Sequence, residues 1–474
     1  MQRARFRAVF RLTILIFACS GTLTNAHAQS KAQLSPEMQH KIDQIAADAL
    51  AKTGVPSASV AVVKDGQIAY LRAYGNARLD SQTPATPQMR YSIGSVSKQF
   101  TAASILLLQE RGKLSLDDKV AKFLPELTRA NDVTIRELLS HTSGYQDYWP
   151  QDYVMPEMLQ PTTAQRILDM WARKPLDFEP GTKWQYSNTN YVIAGLIVEK
   201  ASGEPLLQFL QQEIFAPLQM KSVADTDKAK LGDTDPGGYM RYALGPLRAA
   251  PKEGSGWLFA AGELAMPAED LAKWDISIIN QKLLKPASYR EFETEVVLAN
   301  GLGTRYGLGV DVSLQSGHRT LSHSGEVSGF TSENDVFPDD RAAVVVLTNE
   351  DASEAAGAIA AGVAPLLLAN DDAATPAKLA QAQKIFAGLQ QGTIDRSLFT
   401  DNANFYFNEQ ALKDFASSLG PLGAPQGFVQ IRQALRGGMT LRVYAVKFAK
   451  TELRAWSYEM PDGKLEQFQV AASD

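Results

Sequence analysis

At 474 residues the chain has room for two or three domains, and 45% apolar with 21% charged residues is the balance of a folded globular protein, which excludes a disordered one. A formal net charge of −5 argues against nucleic acid or an anionic membrane face as a partner, and a single cysteine excludes an internal disulfide framework. The five histidines stand in no HExxH spacing, so neither a metal nor another cofactor is expected.

The first 28 residues read as a segment to be removed. MQRARFRAVFRLTILIFACSG opens with four arginines and no acid, then runs apolar from Leu12 to Ala18, and the small residues of Ala26-His27-Ala28 precede Gln29. This is the layout of a Sec-type signal peptide, too short to span a bilayer comfortably, and it predicts a periplasmic or secreted protein cut after Ala28. The cut removes four arginines and takes the formal net charge from −5 to −9. Cys19 lies in the same stretch. IFAC loosely resembles a lipobox, but Phe17 stands where that signal prefers a small residue, so a lipid anchor is the lesser reading. No later apolar run reaches membrane length.

From Pro56, the runs SASVAVV and QIAYLRAY around Lys64-Asp65-Gly66 predict a β-hairpin, since Asp-Gly suits the tight turn. A helix is predicted from Ser95 to about Arg111, with Phe100, Ile105 and Leu108 near helical spacing and Gly112 as its C-terminal cap. VTIRELLS (133–140) reads as another helix, with Thr134 near its start, leading into the loop His141-Thr142-Ser143-Gly144. Residues 145–300 are helices and Pro/Gly-punctuated loops. Strands return in TRYGLGVDVSL, RTLSH, GFTSENDVF and RAAVVVLTN, with a last turn at Pro338-Asp339-Asp340, before an apolar helix over about 352–368. A hairpin in front, strands behind and helices between predict one antiparallel sheet joined from both chain ends, with a helical lobe inserted. The boundaries that follow are a signal peptide (1–28), a main domain (29–370), a polar linker (371–378) and a small α+β accessory domain (379–474). That last segment has two helical runs, the β-rich LRVYAVKF and LRAWSYEM, a turn at Pro461-Asp462-Gly463 and LEQFQV. It carries no catalytic pattern and reads as a packing or binding module.

Three short patterns could carry chemistry. Ser95 and Lys98 form a Ser-x-x-Lys; residues three apart share a helix face, so the ammonium would lie beside the hydroxyl at a helix start that favours negative charge. A serine attacks only when a neighbour takes its proton. The plain alternative is an N-cap serine and a solvated lysine. Tyr186-Ser187-Asn188 is a Tyr-x-Asn, a pattern that Tyr74-Gly75-Asn76 and Tyr406-Phe407-Asn408 also match, but it alone falls between the Ser-x-x-Lys helix and the returning strands. A phenol is a feeble base until a neighbouring lysine makes its phenolate accessible; otherwise Tyr186 is a buried aromatic. His323-Ser324-Gly325 lies on or just after RTLSH, and a glycine there admits a ligand or another backbone. The alternative is a strand end with a partly exposed histidine.

In this order, over 230 residues, the three patterns resemble the serine β-lactamase and penicillin-binding-protein superfamily, and within it the class C β-lactamase-like serine hydrolases, a branch with D-aminopeptidases, D,D-carboxypeptidases and esterases. TIRELLSHTSGY, FEPGTKWQYSNTNY, AAGELAMPAEDLAKW and HSGEVSGF extend the resemblance over roughly residues 40–370. It implies an α/β (α+β) fold: a β-lactamase-like antiparallel sheet flanked by helices, an inserted helical lobe, and the small C-terminal α+β domain beside it. It further implies that Ser95 forms an acyl-enzyme, Lys98 holds charge and assists proton transfer, and Tyr186 is the general base. Asn188, His323, Ser324 and Gly325 would bind substrate, and the backbone N–H groups of Ser95 and Glu326 would form the oxyanion hole. Dedicated β-lactamases of this family usually have lysine where His323 stands, to hold the substrate carboxylate; a mostly neutral histidine weakens that attraction. The expectation is an exported serine hydrolase of amides or esters, acting on D-amino-acid peptides or small esters. The alternatives are a weak β-lactamase or D,D-carboxypeptidase, and a non-catalytic binding or sensing protein on the same fold. Trp149, Tyr145, Tyr239 and Trp257 stand in loops that would shape the pocket.

Overall fold

The computed structural model describes residues 33–229, 231–315, 317–368 and 375–473; the expected signal peptide, Cys19 and residues 371–374 of the expected linker lie outside them. Both ends of the main segment feed one sheet. Strands β1 (Ser57–Lys64), β2 (Gln67–Arg78) and β3 (Thr83–Pro84) come from the front, and β4 (Asp311–Gln315), β5 (His318–Val327), β6 (Phe330–Phe337) and β7 (Ala342–Thr348) from the back. They pair antiparallel in the order β3-β2-β1-β7-β6-β5-β4, so the first and last long strands meet at the centre. The predicted hairpin turn forms at Asp65 and Gly66, both at positive φ (53° and 72°), the conformation a two-residue loop with the strand twist demands.

The central strands are apolar on both faces because both faces are covered. In β7, Ala343, Val345 and Leu347 enter one core, while Ala342, Val344 and Val346 enter the other. The second core is closed by α1 (Pro36–Thr53) and α6 (Ala355–Leu367). The first is closed by α2 (Lys98–Glu110), α4 (Asn188–Ser202) and α5 (Ala268–Ile279), the inserted lobe. Every residue of α2 from Lys98 to Leu108 is buried, so this helix runs through the interior rather than along the surface.

The predicted helix at Ser95 differs in detail. Gly94–Ser97 is a 3-10 turn, α2 begins at Lys98, and Ser95 makes no capping hydrogen bond. The helix predicted over 133–140 is the shorter α3 (Ile135–Leu139), opened by a reciprocal capping box between Thr134 and Glu137. The predicted strand TRYGLGVDVSL is ordered as a strand only over its last four residues, which with Gln315 make β4.

Residues 375–473 carry their own four-stranded antiparallel sheet, β8 (Gly427–Arg436), β9 (Met439–Lys447), β10 (Glu452–Glu459) and β11 (Leu465–Ala472), with helices α7 (Thr375–Gln390) and α8 (Glu409–Leu419). Phe386, Leu389, Phe407, Val446 and Phe468 are in its separate core. Helix α7 starts inside the stretch expected as linker, and β8 precedes the strands that the sequence predicted. Among the described residues no helix is long and apolar enough to cross a membrane.

Candidate active site

The turn that carries Ser95 is pinned from two sides. Ile93 N–H donates to Leu264 O (3.0 Å), Ser332 Oγ donates to Ile93 O (2.9 Å), and Leu264 N–H donates to Ser97 Oγ (3.2 Å). Close approach of β5 to this turn depends on two glycines. A Cβ on Gly325 would stand 2.0 Å from Ile93 O, and one on Gly94, at φ +50°, would stand 2.7 Å from the Glu326 nitrogen. Gly325 thus serves backbone packing rather than the cavity wall, and the Glu326 N–H lies against the Ser95 turn. Gly325→Ala is expected to push the strand off the turn and lower kcat by about 100-fold, because sub-ångström placement of the reacting groups governs rate. Circular dichroism and turnover of the purified variant check this; near-wild-type turnover would contradict it.

Three of the predicted side chains converge. Lys98 Nζ donates to Ser95 Oγ at 2.9 Å, and Tyr186 O–H donates to the same Oγ at 2.8 Å. The other two Lys98 donors reach Asn188 Oδ1 and Ala261 O, both at 2.8 Å. All three ammonium hydrogens are therefore used, and Ser95 Oγ accepts twice. Lys98 is wholly buried, and burial lowers its proton affinity to about 7, opposed by the charge of Asp147. Near neutral pH the amine is available to accept the Ser95 proton along the same 2.9 Å contact. Tyr186 behaves in the opposite way to the expectation. Burial raises its phenol well above the ordinary value; the Ser95 contact lowers it, but Asp147 and Asp311 raise it further, so it stays protonated.

His323 is inside β5 and buried, not partly exposed at a strand end. Its Nδ1 lies 2.6 Å from Ser324 O, which can only accept, so Nδ1 bears the proton and Nε2 accepts from Tyr306 O–H at 2.9 Å. Burial, then the Lys98 charge, lower its proton affinity to about 4. The imidazole is neutral at pH 7 and has both nitrogens engaged by the protein. Ser324 is exposed beside it.

These groups open on a cavity of about 570 Å³ whose lining includes Ser95, Tyr186, Asn188, His323, Ser324 and Glu326. Trp149, Tyr153, Trp184 and Leu258 supply apolar wall. Of the four loop aromatics singled out in the sequence, Trp149 alone lines it. Tyr145 donates to Thr128 O, Tyr239 accepts from Leu79 N–H, and the Trp257 indole donates to Gln160 O, so these three anchor loops. Asp147, Asp152, Asp311, Glu326 and Asp351 also line the cavity, and among the described residues no arginine or lysine does. Burial of Asp311 raises its carboxyl to about 6.

Sequence reasoning missed His141, Tyr306 and Asp147. His141 holds φ +59°, accepts from Ser187 N–H at Nδ1 (3.2 Å), and stacks on Tyr186 with ring centroids 4.3 Å apart, fixing the phenol from behind. Its signal was the His-Thr-Ser-Gly loop, which reads only as a turn. Among the described residues no group of acidic, histidine or cysteine side chains is arranged to hold a metal ion.

Comparison with known proteins bears on the family and the fold. The family model described as beta-lactamase matches residues 42–368. The chain is 30% identical over 308 residues to penicillin-binding protein 4* of Bacillus subtilis, covering 62% of this chain and 68% of that protein. It is 29% identical over 304 residues to a D-aminopeptidase of Brucella anthropi, covering 62% of this chain and 56% of that one, little more than half its length. A D-stereospecific amidohydrolase from Streptomyces sp. superposes with a TM-score of 0.60 at 26% identity, over 68% of this chain and 97% of that one. An octameric penicillin-binding protein homologue from Pyrococcus abyssi, at 21% identity, shares the fold over 91% of this chain and 99% of its own, with a TM-score of 0.61.

Proposed function

Because the chain belongs to the beta-lactamase family and is a serine hydrolase of that kind, we propose that it is an exported amidohydrolase that transfers acyl groups through Ser95, with D-amino-acid amides or peptides as donors. The observation that carries this reading is the double contact on Ser95 Oγ, from Lys98 Nζ at 2.9 Å and Tyr186 O–H at 2.8 Å, at the wall of an open cavity. In the acylation step, neutral Lys98 takes the Ser95 proton and Oγ bonds to the substrate carbonyl carbon. The Ser95 and Glu326 N–H groups receive the oxyanion. As the tetrahedral adduct collapses, the C–N bond breaks and the leaving amine takes a proton from Tyr186 O–H, and the proton that Lys98 accepted returns to the Tyr186 phenolate. Water then repeats the sequence on the ester and frees Ser95. Lys98 rather than Tyr186 is the first proton acceptor on this reading, since burial lowers the affinity of one and raises that of the other.

Substrate choice follows from the walls. Among the described residues five carboxyl groups and no arginine or lysine line the cavity, and His323 is neutral, so a donor with a free ammonium is favoured over one with a carboxylate. This supports an aminopeptidase or amidase over a β-lactamase. The relatives named D-aminopeptidase and D-stereospecific amidohydrolase support the D configuration. Expressed with residues 1–28 attached, the protein is expected outside the cytoplasm, beginning at Gln29, and cleaving D-alanine p-nitroanilide over the L form by about 10-fold or more in kcat/KM. N-acetylation of the donor is expected to reduce that value. Equal use of both enantiomers, or faster turnover of a penicillin, would overturn the substrate reading; a chain retained in the cytoplasm with residues 1–28 would overturn export.

A further inference from the structure

Asp147 follows the His-Thr-Ser-Gly loop by three residues and lies at the start of α4, against Asn188. Its Oδ1 accepts from Asn188 N–H at 2.9 Å and from Trp149 N–H at 3.1 Å, and its Oδ2 lies 3.3 Å from Asn188 Nδ2. A carboxylate can only accept, so the Asn188 amide must turn its NH2 toward Asp147. The other end of that amide, Oδ1, then points at Lys98 Nζ, 2.8 Å away. Reversed, the amide would set two acceptors against each other at Asp147 and two donors against each other at Lys98.

Resting on the proposed reading of Ser95 as nucleophile, we propose that Asp147 is a positioning residue for acyl transfer: its carboxylate locks Asn188 in the one orientation that offers Lys98 an acceptor, and so fixes the lysine amine on Ser95 Oγ. The chain of contacts runs Asp147, Asn188, Lys98, Ser95, with no other side chain holding the Asn188 amide among the described residues. The carboxylate also places a negative charge near the ammonium without touching it, which favours the charged lysine.

Other titratable groups face the same point. Tyr186, Tyr191, His141 and His323 surround Lys98; burial keeps both phenols protonated and both imidazoles neutral, so none of them changes charge near pH 7. Tyr148 lies beside Asp147 and is likewise held protonated by burial. Asp311, across the cavity, titrates at about 6 and is untouched by a change at Asp147.

Asp147→Asn separates positioning from helix capping. Asparagine keeps an oxygen for the N–H groups of Asn188 and Trp149, so a purely structural role would survive. Its NH2 would face the Asn188 NH2 and turn that amide away from Lys98, and the negative charge is gone. The probe is a fluorophosphonate, whose rate of attachment to Ser95 reads nucleophile activation without a substrate. In the variant the rate at pH 8 is expected to fall about 10- to 100-fold, and the limb of the pH profile near 7 to move to lower pH by about one unit. A rate within about twofold of wild type with an unmoved limb overturns the proposal. If the asparagine variant does not fold, Asp147→Glu decides: the retained charge is expected to keep the limb in place while the rate falls, and a limb that shifts to lower pH overturns the proposal. Absence of labelling in the wild type overturns both this proposal and the nucleophile reading; labelling indifferent to Asp147 overturns only this one.

Discussion

Ser95→Ala is expected to lower kcat by about 10⁶-fold and to abolish covalent labelling, while the fold and its melting temperature stay close to wild type. The size follows from the site: among the described residues, Ser95 Oγ is the atom on which Lys98 and Tyr186 both converge, and no second hydroxyl shares those partners. The stability expectation follows from the same contacts. Ser95 caps no helix and is partly open to the cavity, so its hydroxyl contributes little to the 3-10 turn, which Ile93, Ser97 and Ser332 hold in place. Steady-state turnover and thermal unfolding of the same preparation check both halves. Residual turnover above about one-hundredth of wild type would point to another nucleophile.

Lys98→Met is expected to lower kcat by about 10³- to 10⁴-fold and, unlike most active-site losses, to change stability in a pH-dependent sense. The lysine is wholly buried and its affinity is lowered from 10.5 to about 7 by desolvation. The sign is fixed by linkage. Below pH 7 the group is charged in both folded and unfolded chains, and its full burial cost weighs on the fold. Between about 7 and 10.5 the unfolded chain binds more protons, so wild-type stability rises with pH as that cost fades. Methionine removes the titration, and the stability of the variant relative to wild type is therefore expected to be greatest near pH 6 and to shrink toward pH 10. Three partners, Ser95 Oγ, Asn188 Oδ1 and Ala261 O, lose a donor in the variant, which offsets the gain by a constant amount and leaves the slope intact. Chemical denaturation at several pH values checks the slope; a relative stability that rises toward pH 10 would contradict a depressed lysine.

What the sequence made legible was local spacing and order. Ser95 and Lys98 meet because they are three apart where a 3-10 turn passes into α2, and a hydroxyl and an amine at that spacing are readable without coordinates. The central strands were readable because β1 and β7 are buried on both faces and hence mostly apolar. Tyr186 was found through its place in the chain order, yet the direction of its proton affinity was not, since burial is a property of the assembled walls. Adjacent Lys98 suggested an accessible phenolate; desolvation prevails instead. Asp147 was illegible for a related reason. One aspartate in a loop of mixed composition has no pattern, and its meaning comes from Asn188, 41 residues on in the chain. Tyr306 likewise touches His323 only because the loop ahead of β4 folds back over β5. The 3-10 turn at Gly94 depends on contact with Glu326, far along the chain, which helical periodicity does not carry.

The most direct measurement is the intact mass of the folded protein after brief exposure to a fluorophosphonate, with the adduct mapped by peptide fragmentation. A single adduct on Ser95, missing in Ser95→Ala, is the result this account predicts. No adduct on folded wild-type protein, or an adduct on another side chain, would contradict it.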